Sequence, residues 1–134
     1  MVYSTEVSVR TQKRSHWVDI TGEIQGAVDK SGISDGIVTA ASLHTTAGLT
    51  INENADPDVG RDFFWKLNQL VPQDSSFAHM EGNSDSHIKA SMVGFSVQVP
   101  LKGGSLVRGT WQSVYFCEFD GPRNRKVCVT VLGE

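Results

Sequence analysis

Apolar and polar side chains alternate along several short stretches of the chain, which is the pattern of half-buried antiparallel strands. The alternation is clearest at residues 6–10 and 17–20, and we expect these two stretches to form an opening hairpin. Residues 37–43 are apolar on both sides, which predicts a central strand covered on both faces. Further strands are predicted at residues 49–51, 95–99, 106–108, 111–119 and 126–132.

Three segments carry the signals of helices. After Asp56-Pro57, which supplies an N-cap and a first-turn proline, apolar residues recur at helical spacing. Thr21 and Ser84 are the predicted N-caps of two shorter helices that end at glycines. Because these two or three helices do not alternate regularly with the strands, the chain is predicted to have an α+β fold with largely antiparallel strands.

The chain has 134 residues, a hydrophobic fraction of 39% and a net charge of -3. This length predicts one hydrophobic core, and therefore a single domain over residues 1–134. A slightly acidic chain has no general electrostatic attraction to a phosphate backbone, so nucleic acid is not an expected partner. The first residues lack the continuous apolar stretch of a signal peptide or a membrane span, which predicts a cytoplasmic protein without a membrane partner.

The two cysteines flank a loop that is predicted to close a hairpin between the last two strands. Cys117 and Cys128 are expected to face each other across these strands. Such a pair can form a disulfide bond. In a reducing cytoplasm the simpler interpretation is two buried thiols that behave as small hydrophobic side chains.

Three of the four histidines lie at the ends of predicted elements or in polar loops. These are His44, His79 and His87, whereas His16 starts a strand without polar neighbours and is interpreted as a surface residue. Neutral imidazole is a common zinc ligand, and three protein ligands with an open position describe a catalytic metal site. The spacing matches no short metal motif, so three histidines in polar surface loops are an equal alternative on spacing alone.

Other polar residues are candidates for contact with a ligand. Thr45 follows His44 and can approach a ligand, or can simply close a strand. Near Ser84 and Lys89, free backbone N–H groups at a helix start favour an anion such as phosphate, although an N-cap serine needs no ligand. Glu118 lies in a mostly apolar strand, where burial would raise its pKa and suit it to acid–base catalysis, while an edge position would leave it exposed.

Three blocks of sequence together resemble the YjbQ family of secondary thiamine-phosphate synthases. They are HTTAGLTINENADPDVGRDF from His44, HMEGNSDSHIKASMVGFSVQVP from His79 and GTWQSVYFCEFDGPR from Gly109. The blocks stand in the family's order and the likeness covers nearly the whole chain. Their combination is therefore far more specific than any single histidine.

The resemblance implies an α+β fold with the strands in two packed sheets, assembled as a homotrimer. It also implies a weak activity that joins hydroxymethylpyrimidine diphosphate to thiazole phosphate, yielding thiamine phosphate and pyrophosphate. A small phosphorylated metabolite is then the expected partner. The family's histidines correspond to His44, His79 and His87, which are expected to share one site and to be the ligands of a divalent metal, Zn²⁺ or Mg²⁺, if one is bound.

Side-chain chemistry assigns roles in such a coupling, in which the site must stabilise the charge of the departing pyrophosphate. The candidate catalytic residues are His44, Asp85 and Glu118, with the two carboxylates orienting a histidine or binding magnesium. The candidate substrate-binding and phosphate-binding residues are Thr45, Asn52, Asn83, Ser84 and Lys89.

Two other classes of function are open at this point. One is a metal-dependent hydrolase of a phosphorylated metabolite, for which synthase activity would be a side reaction. The other is a non-catalytic module that binds an anion or a metabolite. The chain has neither a long glycine-rich phosphate loop nor the eight βα units of a barrel, so the synthase hypothesis depends on the resemblance and on the candidate residues.

Overall fold

Strands and helices follow one another along the chain, and the computed structural model describes residues 1–134. The strands are β1 (Val2–Arg10), β2 (His16–Asp19), β3 (Gly36–Ser42), β4 (Ala47–Glu53), β5 (Ser96–Lys102), β6 (Ser105–Leu106), β7 (Gln112–Glu118) and β8 (Asn124–Gly133). The helices are α1 (Thr21–Ser31), α2 (Pro57–Leu70) and α3 (Ser84–Val93). None of the helices is both long enough and apolar enough to span a membrane.

All strand pairs are antiparallel, and they form two sheets. The large sheet has the order β1-β8-β3-β5-β6 and the small sheet the order β2-β7-β4. These sheets and the three helices confirm the predicted α+β fold. β3 is central in the large sheet, as predicted, but Ile37 on its outer face is 46% exposed while Val38 on its inner face is buried. Within the single chain β3 is covered on one face only, which corrects the prediction of cover on both faces, because an apolar side chain also occupies the outer face.

The main core lies between the two sheets. Val127 and Val129 of β8 and Val114 and Phe116 of β7 are fully buried, and they belong to one cluster of 17 buried apolar side chains. Helix α1 closes one side of this cluster with Ile24. Burial of each such side chain stabilises the fold by about 1.5–3 kcal/mol. The core therefore fixes the two sheets relative to each other, and with them the ends of β7 and β8.

A second, smaller core covers the other face of the small sheet. Cys117 and Phe119 pack there with Leu67 of α2, next to α3. Helix α3 ends so close to β4 that a Cβ atom on Gly48 would collide with the carbonyl oxygen of Gly94. This close packing holds α3 against the small sheet and so positions the loop that leads into the helix.

Two predicted hairpins do not form. β1 pairs with β8 in the large sheet while β2 pairs with β7 in the small one, so residues 11–15 cross between the sheets. Residues 119–123 carry the chain back from β7 to β8 in the same way. Alternation shows which face of a strand is buried but does not identify the strand's partner, and both sheets bury their inner faces in one core. The strand predicted at residues 106–108 is also shorter than expected, since β6 ends at Leu106.

The two cysteines are separated by both sheets. Cys117 lies in the small core, where burial raises the pKa of its thiol to about 12. Cys128 lies on the outer face of the large sheet, since its neighbours Val127 and Val129 face the main core. The expectation that they face each other is wrong, and both are free thiols.

One of the three predicted N-caps is confirmed. Asp56 accepts a hydrogen bond from a backbone N–H of the first turn of α2 at 2.9 Å. Thr21 is instead the first residue of α1, and its hydroxyl accepts a hydrogen bond from the backbone of β7. Ser84 is the first residue of α3, preceded by Asn83, whose side chain makes no capping hydrogen bond. The predicted caps at Thr21 and Ser84 are therefore wrong by one position. The Thr21 hydroxyl is bonded to β7 instead, and the side chain of Asn83, just before Ser84, donates to Asp120.

Candidate functional site

A polar cleft of about 420 Å³ lies where the end of β3, the loop before α3 and the connection between β7 and β8 meet. It is lined by Leu43, His44, Thr45, Thr46, His79, Glu81, Asn83, His87, Asp120, Arg123 and Arg125. Only one of these side chains is apolar. Such a lining predicts a small polar ligand rather than an apolar one.

Five of the candidate site residues that the sequence predicts line the cleft. They are His44, Thr45, His79, Asn83 and His87. The three histidines come from two segments that are far apart in the sequence, and the fold places them around one space. The other five nominated residues do not line the cleft, although Glu118 binds a residue that does.

His44 is held by the backbone of β8. Its Nε2 accepts a hydrogen bond from the backbone N–H of Lys126 at 2.8 Å. The neutral ring must then carry its proton on Nδ1, so it can donate a hydrogen bond from that atom. Burial and the nearby Arg125 guanidinium lower the pKa of His44, and the Glu118 carboxylate opposes them only in part. The neutral imidazole therefore predominates near pH 7.

His79 and His87 also line the cleft, next to each other. Their rings meet edge to face with 5.2 Å between the centroids. His79 belongs to the loop before α3, and His87 to the first turns of the helix. The pair offers donors and acceptors to the same region of the cleft.

Arg125 lines the cleft although its side chain is almost fully buried, and it is oriented by Glu118. Its Nε donates to Glu118 Oε1 at 2.8 Å, and its Nη2 donates to Glu118 Oε2 and to the hydroxyl of Thr46. Burial alone would raise the pKa of Glu118, but hydrogen bonds from Arg125, Thr11 and a backbone N–H outweigh it and lower the pKa. Glu118 is therefore an ionised partner of Arg125 rather than a protonated acid.

A second ion pair, between Asp120 and Arg123, links the β7–β8 connection to the residue before α3. Arg123 donates from Nη2 to Asp120 Oδ2 at 3.0 Å and from Nε to the Asp120 carbonyl at 2.8 Å. Asn83 donates from Nδ2 to the same Asp120 Oδ2 at 2.8 Å. These bonds hold Asp120 and Arg123 together within the turn and tie Asn83 to the pair.

Asp85 and Lys89 form a buried ion pair inside the protein, away from the cleft lining. Lys89 Nζ donates to Asp85 Oδ2 at 3.0 Å and to Asn68 Oδ1 of α2 at 2.7 Å. Arg14 donates to both Asp85 oxygens. Burial raises the pKa of Asp85, but hydrogen bonds from Arg14 and Lys89 outweigh it and lower the pKa. With these partners, Lys89 is not available to a phosphate in the cleft.

Asn52 and Ser84 also lie outside the cleft lining. Asn52 pairs with Ser113 in the register of β4 with β7, whereas the cleft end of β4 pairs Ala47 with Glu118. A strand rises about 3.3 Å per residue, so Asn52 is roughly 16 Å along the strand from Ala47. Asn52 belongs to the same sequence block as His44, yet the extended strand β4 places it far from the cleft.

Nearly the whole chain matches a known family. The family model for the UPF0047 protein YjbQ-like group covers residues 5–134. The chain belongs to the YjbQ family. This confirms the resemblance that the three sequence blocks indicated.

Relatives and solved structures of the YjbQ family support the same fold. UPF0047 protein MJ1081 of Methanocaldococcus jannaschii is 48% identical over 94% of this chain and 91% of its own length. UPF0047 protein YugU of Bacillus subtilis is 44% identical over 95% of this chain and 97% of its own. The crystal structure of a YjbQ/UPF0047 family protein from Clostridium acetobutylicum, 50% identical, has a TM-score of 0.93 over 96% of this chain and 99% of that one. A YbjQ-like protein of unknown function from Sulfolobus solfataricus P2, 34% identical, has a TM-score of 0.94 over 100% and 99%.

The side chains of the cleft do not fit a resident metal ion as they stand. No three His, Cys, Asp or Glu side chains of this YjbQ protein are grouped so that they could hold one. In addition, His44 uses Nε2 to accept a backbone hydrogen bond, and its Nδ1 is protonated in the neutral ring. His79 and His87 leave two nitrogen ligands, and Glu81, which also lines the cleft, is not grouped with them as the third protein ligand that a catalytic zinc site uses.

Sequence reasoning missed Arg125, which links the cleft to the core. The missed signal is its position in β8, where it shares the inward-facing side of the strand with Val127 and Val129. A charged residue at an inward position needs a partner. Glu118, itself in an apolar strand, is the carboxylate that supplies it.

Proposed function

We propose that this YjbQ protein is a small-metabolite transferase with weak thiamine-phosphate synthase activity, and that its cleft binds the phosphate groups of the substrates. The reaction joins hydroxymethylpyrimidine diphosphate to thiazole phosphate. The family resemblance supplies the reaction, and the polar cleft with three histidines and two arginines supplies groups that suit it.

The observation that carries the proposal is how the two arginines are held. Arg123 uses Nε and Nη2 for Asp120, and Arg125 uses Nε and Nη2 for Glu118 and Thr46. In both residues Nη1 has no partner in the protein. A guanidinium group that a carboxylate has already oriented, with N–H groups to spare, is preorganised for the oxygens of a phosphate.

In the coupling, the bond between the pyrimidine methylene carbon and the diphosphate oxygen breaks, and pyrophosphate leaves with the electron pair. The thiazole nitrogen then donates its own pair to the methylene carbon. Donors aimed at the departing oxygens lower the barrier, because negative charge develops there. We assign this task to Nη1 of Arg123 and Arg125 and to the Nδ1–H group of His44. Glu118 and Asp120 act by orienting the arginines.

Loss of the Arg123 guanidinium is expected to weaken pyrophosphate binding roughly tenfold or more, since a hydrogen bond to a charged group contributes about 1.5–3 kcal/mol and 1.4 kcal/mol is tenfold. Arg123→Gln keeps the fold, because the side chain is 53% exposed. The matched control is Arg61→Gln on α2, outside the cleft, which is expected to keep wild-type affinity. Titration calorimetry with inorganic pyrophosphate and hydroxymethylpyrimidine diphosphate measures both.

Turnover is tested with the same protein by chromatographic detection of thiamine phosphate. His44→Ala is expected to reduce the rate about a hundredfold, the usual effect of removing one donor to a developing oxyanion. If neither inorganic pyrophosphate nor hydroxymethylpyrimidine diphosphate binds, the proposal is overturned. Binding without any product would favour the non-catalytic module. Activity lost on chelation, with stoichiometric metal found by elemental analysis, would favour metal-dependent chemistry.

We also propose that the protein assembles as a homotrimer, as the family resemblance implies. A row of exposed apolar side chains across the outer face of the large sheet supports such an assembly. Val2, Leu132, Ile37 and Pro100 are neighbours in register along this row. Their exposure in the single chain leaves an apolar surface on four adjacent strands, the kind of patch that often marks an interface.

The trimer is tested by a substitution that introduces a charged side chain in the middle of that row. Leu132→Asp is expected to shift the mass measured by light scattering from trimer to monomer, because an unpaired carboxylate would be buried in the contact. Leu70→Asp, on an equally exposed leucine at the end of α2, is the control and is expected to leave the mass unchanged. A monomeric wild-type protein would contradict the proposal.

A further inference from the structure

Asn83 has an unusual position for a polar side chain. It lies in the wall of the cleft with 8% of its surface exposed, and its Oδ1 is the one fully buried side-chain N or O atom in the chain without a hydrogen-bond partner. More than nine-tenths of buried polar groups in proteins have such a partner. Within the single chain the amide oxygen therefore lacks a donor, which a ligand or a water molecule would have to supply.

The helix does not use this oxygen. Asparagine just before a helix commonly accepts a hydrogen bond from a backbone N–H of the first turn. Asn83 holds that position at the start of α3, yet its side chain makes no capping hydrogen bond. The side chain is drawn instead towards Asp120, at the β7–β8 connection.

The contact with Asp120 fixes which end of the amide is free. Asn83 Nδ2 donates to Asp120 Oδ2, which also accepts from Arg123 Nη2. A carboxylate has only acceptor atoms, so a flipped amide would place two acceptors against each other. The orientation of Asn83 is therefore fixed with the donor side occupied and the acceptor side free.

This orientation excludes phosphate as the direct partner of Asn83. The oxygens of an ionised phosphate are acceptors and cannot bond to Oδ1. The nearby arginines, Arg123 and Arg125, also disfavour a metal cation at this oxygen. What remains is an N–H or O–H group that reaches into the wall of the cleft.

We infer that Asn83 Oδ1 accepts a hydrogen bond from an amino or hydroxyl group of the ligand. The cleft then selects phosphorylated metabolites that carry such a donor at a second point, away from the phosphate. This inference rests on the proposed binding of a phosphorylated metabolite, and it adds the chemical feature by which that metabolite is distinguished. A pyrimidine that bears a ring amino group has the required donor.

The test compares two ligands that differ only in this donor. One is a pyrimidinylmethyl diphosphate with a ring amino group, and the other has hydrogen in its place. Calorimetry on the wild-type protein is expected to give about tenfold tighter binding of the amino compound, which corresponds to about 1.4 kcal/mol. Asn83→Ala is expected to abolish the difference. Asn54→Ala, which removes an asparagine outside the cleft, is expected to keep it.

A second variant keeps the test independent of the stability of Asn83→Ala. Asp120→Asn removes the carboxylate that fixes the amide, so Asn83 can turn and the preference for the amino compound is expected to shrink. Equal affinity of the wild type for both compounds would overturn the inference, since a water molecule would then satisfy Oδ1, and would leave the proposed function standing. A preference that survives in both variants would also overturn it. Binding of neither compound would overturn both proposals.

Discussion

Arg125→Met is expected to lower the free energy of unfolding by about 3–5 kcal/mol, the usual loss when one partner of a buried ion pair is removed. The side chains of Arg125 and Glu118 are 4% and 0% exposed. Methionine fills much of the space of the arginine stem, so the loss comes from the carboxylate left behind. Thr11 and two backbone N–H groups still donate to Glu118, but none of them carries a charge.

The pH dependence gives this prediction a second measurement. In the wild type the pKa of Glu118 is lowered, because its hydrogen bonds outweigh the effect of burial. A carboxyl group of this kind adds stability above its unfolded-state pKa and loses that contribution as the pH falls through its folded-state pKa. In Arg125→Met burial is no longer outweighed and the pKa rises. The stability difference between wild type and variant is therefore expected to shrink on acidification from pH 7 towards roughly pH 4.

Urea unfolding at both pH values measures the effect, with Arg61→Met as the matched control. Arg61 pairs with Asp58 on the surface of α2, where the two side chains are 75% and 61% exposed. Exposed pairs contribute little, so no measurable change is expected. Similar unfolding energies for the two variants would contradict the assignment of Arg125 as the charge that compensates buried Glu118.

The sequence predicts the elements of this fold better than their arrangement. Helix α2 is predicted from local signals, because Asp56 caps it and Pro57 starts it regardless of what packs against it. Partners of strands depend on residues far along the chain. β8 illustrates this, since it joins β1 and β3 rather than β7, which precedes it in sequence. Alternation alone is compatible with either arrangement.

The candidate site divides in the same way. His44, His79 and His87 lie in polar segments that the sequence singles out, and the structure gathers them. The alternation of β8 places Arg125 inward, but Arg125 is not predicted as a site residue because its bond to Glu118 beside the cleft depends on tertiary structure. Lys89 is a predicted phosphate-binding residue because its charge lies near the start of a helix. Its direction towards α2 is set by packing, which local sequence does not encode.

The ion pair between Asp85 and Lys89 is expected to be structural rather than catalytic. Both side chains are almost fully buried, and Lys89 bonds to Asn68 of α2 while Asp85 also bonds to Arg14 before β2. These contacts join three segments around the start of α3. The pair therefore holds α3 in place, and the first turns of this helix line the cleft. Asp85 and Lys89 affect a bound ligand only by positioning the helix.

Asp85→Leu is expected to lower the free energy of unfolding by about 3–5 kcal/mol, because the Lys89 ammonium group would stay buried with one neutral partner, Asn68. The double variant Asp85→Leu/Lys89→Met is expected to recover most of this loss, since apolar side chains of similar volume can replace a buried ion pair. Arg14, whose side chain is 36% exposed, can turn to solvent. Urea unfolding measures both variants.

Ligand binding by the double variant separates the structural role from the catalytic one. If the pair only positions α3, the refolded double variant keeps wild-type affinity for pyrophosphate in calorimetry, because neither side chain lines the cleft. If Asp85 or Lys89 contacts the substrate, as their sequence context predicts, a stable double variant loses affinity or turnover. A double variant that is stable but does not bind pyrophosphate would show that at least one of the two residues acts in the site, and would contradict the structural assignment.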